Sequence, residues 1–109
     1  MRALVLIFLG LAAATSPSGV GKPCRGNQDC PTGYCITTPE YPGGYCSKRD
    51  CQTGGCPTDS DCSGGGKIGS EGCFLRCQRH SDCRSGYHCC PDRQKVKVCV
   101  PAKGCGLSC

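Results

Sequence analysis

The sequence predicts a small disulfide-rich fold: stapled loops with short antiparallel β-strands and little or no helix. Three observations predict it. Cysteine accounts for 15 of the 109 residues, well above the ~8–10% that marks a disulfide scaffold. Glycine and proline contribute 17 and 8 residues, while aromatic residues make up only 6% and tryptophan is absent. The apolar fraction of 38% consists largely of cysteine and of a run at the N-terminus, so few other side chains remain to build a core. Cross-links that restrict the unfolded chain must replace much of that core.

Along the chain, residues 1–14 read first as a cleaved secretory signal peptide. Arg2 supplies a positive end, the stretch from Ala3 to Leu11 an apolar segment, and Ala12-Ala13-Ala14 a small-residue cleavage site. The apolar run falls short of the roughly 20 residues needed to cross a bilayer, so no transmembrane segment is expected. Export implies a secreted, extracellular protein in an oxidising setting where disulfides persist. Residues 15–23 are expected to be a flexible N-terminus.

An internal repeat organises the remainder. Cys24-Arg-Gly-Asn-Gln-Asp-Cys30, Cys56-Pro-Thr-Asp-Ser-Asp-Cys62 and Cys77-Gln-Arg-His-Ser-Asp-Cys83 share a C-x5-C spacing with Asp before the second cysteine. Two of them continue alike, as Gly33-Tyr34-Cys35 and Gly86-Tyr87-His88-Cys89. The expected units are a first cysteine-rich unit at 24–55, a second at 56–76 and a finger at 77–109. Asp29, Asp61 and Asp82 are placed to accept bonds from nearby backbone N–H groups, and Gly33 and Gly86 to permit turns. Pro42-Gly43-Gly44 and Ser63-Gly64-Gly65-Gly66 read as flexible loop tips. Short strands are expected over 34–38 and, on a strict alternation, over 95–100. In the latter, Val96, Val98 and Val100 share one face while Lys95, Lys97 and Cys99 share the other, and Pro101 ends the strand.

The same spacings bear on chemistry. No C-x-C or C-x2-C occurs, and zinc ribbons and thioredoxin-type sites depend on such close pairs, so neither a metal site nor a redox site is expected. His80 and His88 read as solvated. With two histidines and little core to form a pocket, the chain is not expected to be an enzyme or to hold a cofactor. The net charge is +5, and from Arg76 onward seven basic residues face only Asp82 and Asp92. A cationic terminal module suits an acidic protein or an acidic polysaccharide, with Arg93, Lys95 and Lys97 as candidate partner-binding residues. Export and scarce aromatics disfavour nucleic acid.

The final unit, Cys77-x5-Cys83-x5-Cys89-Cys90-x8-Cys99-x5-Cys105, resembles the finger shared by colipase, prokineticins and the C-terminal domain of Dickkopf proteins. The first unit, Cys24-x5-Cys30-x4-Cys35-x10-Cys46-x4-Cys51, is similar to the opening of the Dickkopf N-terminal cysteine-rich domain. The resemblance implies a non-catalytic extracellular module that binds a protein partner. It also implies that Cys77 bonds Cys90, that Cys83 bonds Cys99 and that Cys89 reaches Cys105 or Cys109. A second resemblance, of C-x5-C-x5-CC to whey-acidic-type inhibitors, implies a protease inhibitor presenting a preorganised loop. A cationic toxin or antimicrobial protein is the third reading. The odd cysteine count leaves one thiol free or joined to another chain, as in a disulfide-linked dimer. Cys51, between repeat units, and Cys109, at the terminus, are the candidates.

Overall fold

In the computed structural model of the chain, residues 16–63, 72–92 and 94–101 are described. Three antiparallel hairpins follow one another. Strands β1 (Tyr34–Ile36) and β2 (Tyr45–Ser47) form the first; β3 (Ser60–Ser63) and β4 (Gly72–Leu75) the second; β5 (Tyr87–Pro91) and β6 (Lys97–Pro101) the third. Among the described residues the one α-helical element is the single turn α1 (Cys51–Gly54), with short 3-10 turns at Asn27–Asp29 and His80–Asp82. The small disulfide-rich architecture read from composition is the architecture observed.

Each hairpin carries two cysteines directly opposite one another across its strands: Cys35 and Cys46, Cys62 and Cys73, Cys89 and Cys99. Opposed residues in a sheet stand ~4.5–5.5 Å apart at Cβ, wider than a disulfide's ~3.5–4.5 Å. They bond instead to the loop that precedes the hairpin. The pairs are Cys24–Cys35 with Cys30–Cys46, Cys51–Cys62 with Cys56–Cys73, and Cys77–Cys89 with Cys83–Cys99. Within each set of four cysteines, the first therefore meets the third and the second meets the fourth.

This pattern corrects three expectations. Cys77 bonds Cys89, not Cys90, and Cys89 is thereby withdrawn from Cys105 and Cys109 alike. The reason is the period of a strand: successive side chains point to opposite faces. Cys89 stands opposite Cys99, whereas Cys90 stands opposite Val98 and points away from the 77–83 loop. Cys90 is itself disulfide-bonded. Cys83 bonds Cys99, as the family resemblance implies. Cys51 is not the odd thiol, because it is the first cysteine of the second set and bonds Cys62. Among the described residues there is no free cysteine; Cys105 and Cys109 lie outside them. The Cys51–Cys62 bond also joins the 24–55 unit to the 56–76 unit.

The hairpins share one core. Tyr45 of β2, 1% exposed, packs on Tyr41, Phe74 of β4 and Tyr87 of β5, with ring centroids 5.9, 5.4 and 5.3 Å away. Its hydroxyl donates to the carbonyl of Cys99 (3.0 Å) and accepts from the amide of Leu75 (2.9 Å), so one side chain ties all three hairpins. Burial pushes this phenol well above the usual tyrosine pKa, against the opposing effect of the Leu75 amide. Ser47 makes a second junction. Its hydroxyl donates to the Cys73 carbonyl and accepts from the Cys73 amide, both at 2.9 Å, which extends β2 toward β4 through a side chain.

The segment before Cys24, expected to be flexible, is docked from Ser16 onward. Val20 is completely buried, Gly21 N–H donates to Cys46 and Cys46 N–H donates to Lys22. Ser16 and Ser18 both donate to the Asp59 carboxylate. The Pro42-Gly43-Gly44 tip is packed as well: Gly44 has φ +78, and a Cβ there would meet the Cys24 carbonyl oxygen at 2.0 Å. Of the other glycine tip, 64–66 lie outside the described residues.

Candidate functional site

The strand expected over 95–100 begins two residues later, because Lys95 takes a left-handed conformation at φ +71 and closes the β5–β6 turn. Asp92 organises that turn. Its Oδ1 accepts from the amides of Gln94 (2.8 Å) and Val96 (3.0 Å), and its carbonyl accepts from Lys95 N–H. Lys95 and Lys97 are exposed, while Val98 and Val100 face the core. Cys99 is buried on the opposite face, where its bond to Cys83 covers it. Arg93 lies outside the described residues.

The fold brings Arg76 to this edge. It forms an isolated antiparallel bridge with Val98, and Cys77 N–H donates to the Lys97 carbonyl (3.2 Å). Arg76, Lys95 and Lys97 thus line one shallow depression of about 550 Å3, together with Gln78, Asp82 and Val96. Lys97 Nζ reaches the Gln78 carbonyl at 3.5 Å, and Arg76 pairs with Asp61 at 3.4 Å on the exposed surface. An exposed pair of this kind contributes ~0–1 kcal/mol, so it leaves the arginine free to exchange partners. Sequence reasoning counted Arg76 among the cations but did not place it here. The β4–β6 contact that does so has no local sequence signal.

The three aspartates divide. Asp29 accepts from Arg25 N–H (2.8 Å), and Asp82 from Gln78 N–H (2.8 Å) and Arg79 N–H (3.1 Å), as expected of turn residues. Those last two amides hold the Asp82 carboxyl below its ordinary pKa. Asp61 is different: it lies within β3 and faces Arg76. The two histidines stand edge to face, 5.2 Å apart, and His80 Nδ1 accepts the Cys89 amide (3.0 Å). That bond commits the ring nitrogen nearest the backbone to a structural role. In each cysteine set three sulfurs lie within 4.8 Å of one another, but all are disulfide sulfurs and have no thiolate to offer a metal.

The geometry defines a class, a small disulfide-rich protein of three cross-stapled hairpins. The chain matches no known family, no curated protein and no solved structure. Among the described residues no helix is long and apolar enough to cross a membrane.

Proposed function

We propose that this is a secreted, non-catalytic binding module that presents the cationic edge of its third hairpin to an acidic extracellular protein. One observation carries the reading. Arg76, Lys95 and Lys97 converge on a surface held by the Cys77–Cys89 and Cys83–Cys99 bonds. A stapled surface loses little freedom on binding, which favours affinity from a modest number of contacts. The depression is shallow and its cations are exposed, a shape suited to a macromolecule rather than to an enclosed substrate. The resemblance of the first cysteine spacing to the Dickkopf N-terminal domain points the same way, as does the extensive cross-linking, which suits export; the Cys77–Cys89 bond withdraws the colipase-type finger from that support.

The test is a paired capture. Oxidised wild-type protein and a Lys95→Glu/Lys97→Glu variant are immobilised and exposed to extracellular fluid from the source. A partner should be retained by the wild type, be released as ionic strength rises and be lost from the variant. Equal retention by both would place the binding surface elsewhere. Tight stoichiometric inhibition of a serine protease by wild type and variant alike would replace the proposal with the inhibitor reading.

A further inference from the structure

Between the hairpins and the docked N-terminal segment lies a cavity of about 410 Å3, within the ~300–1,000 Å3 typical of small-molecule sites. Tyr45 and Cys99, both buried, form its base, and Val20, Leu75, Pro31 and Tyr87 contribute apolar walls. Lys22 and Arg84 also line it, and among its described lining residues there is no carboxylate.

Arg84 is the informative group. Its guanidinium donates to the carbonyls of Gly21 (2.8 Å), Pro42 (2.6 Å) and Gly44, and it lies 4.4 Å from the centroid of the Tyr87 ring. These partners are neutral, so they hold the group in place without cancelling its charge. The Arg76–Asp61 ion pair lies at a different surface. Nη1 makes a single bond, to Gly21, and a guanidinium carries five N–H donors, so donor capacity remains. A positioned, half-buried cation whose acceptors are all neutral keeps its charge available to an incoming anion.

We propose that this cavity binds one molecule of an anionic amphiphile, its carboxylate directed to Arg84 and Lys22 and its apolar tail packed on Pro31, Leu75 and Tyr87. The site shares no residue with the cationic edge of Arg76, Lys95 and Lys97, so the two proposals stand or fall separately.

Decanoate, kept below its micellar range and titrated into isotopically labelled oxidised protein, tests it. Saturable one-to-one shifts are expected at the amides of Val20, Leu75 and Tyr87. Decanol and decylammonium should bind at least about tenfold more weakly, because neither offers an anionic acceptor to Arg84 and Lys22. Lys22→Glu, a change at an exposed side chain, should weaken decanoate, and Leu75→Trp, which fills the cavity, should abolish saturation. Should Leu75→Trp fail to fold, the Lys22→Glu comparison carries the test alone. The proposal is overturned by an absence of saturable shifts, by equal affinity for decanol, or by shifts centred on Lys95 and Lys97.

Discussion

In the first hairpin the Asn27 side chain accepts the amide of Cys35 and Asp29 accepts that of Arg25; in the third, His80 accepts the amide of Cys89 and Asp82 those of Gln78 and Arg79. Asn27 and His80 each stand three residues after the first cysteine of their set, and each receives the amide of the third. The second hairpin has Gly54 and Gly55 where these side chains would be, and its loop coils into α1 instead. What it lacks locally it takes from outside. Ser47 of β2 pairs with Cys73, Tyr45 caps Leu75, and Ser16 and Ser18 reach Asp59. Two hairpins thus carry their own turn chemistry between their disulfides, and the middle one is held by its neighbours.

The largest effect is expected where all three meet. Tyr45→Ala removes the shared ring and both hydroxyl bonds, and should cost about 3–5 kcal/mol in denaturant unfolding under non-reducing conditions. Amide exchange should rise in every hairpin; a rise confined to the first would mean that the hairpins fold independently.

A matched pair of disulfide deletions sharpens the contrast. Cys24–Cys35 and Cys51–Cys62 both close a sequence separation of 11, so the closure entropy they remove is the same. Each deletion should cost about 2–5 kcal/mol. The Cys51→Ala/Cys62→Ala protein should lose the more stability, because Asn27 and Asp29 persist in the first hairpin and have no counterpart in the second. Equal losses would remove the argument from turn chemistry.

Ser47→Ala should cost about 1–3 kcal/mol, because it strands the amide and carbonyl of fully buried Cys73. The expected signature is rapid exchange at Cys73 with the first hairpin still protected.

The smallest effect concerns acid. Burial, the largest single influence on Asp59, raises its pKa, but the hydroxyls of Ser18 and Ser16 and the Ser18 amide together hold it below the ordinary value. A carboxylate depressed in the folded state binds its proton more readily after unfolding. Its stabilisation is therefore present above the unfolded pKa of ~3.9 and lost as pH falls through the lower folded value. Docking of residues 16–20 should weaken over that window, and Asp59→Asn should remove that pH dependence.

Much of this organisation was legible in the cysteine spacing, and its errors are physical ones. The repeat is real, but Cys56-x5-Cys62 is the second and third cysteine of its set, not the first and second. The confusion arises because x4 and x5 exchange places between sets, and because Asp61 precedes Cys62 as Asp29 precedes Cys30. The alternation over 95–100 located β6 but not its start, since the Asp92 turn carries through Lys95. Strands β2, β3 and β4 are three or four residues long, too short for a periodic signal. The basic character of the candidate edge was readable for Lys95 and Lys97, which are near neighbours in sequence. Arg76 joins them only through the β4–β6 bridge, and long-range pairing leaves no local trace.

The first-to-third, second-to-fourth pairing in all three sets underlies the whole account. Peptide mapping of the alkylated, non-reduced protein, with fragmentation between Cys89 and Cys90, reads it out. The structure predicts Cys77 linked to Cys89 and Cys51 linked to Cys62. Cys77 found on Cys90, or Cys51 found alkylated, would contradict it.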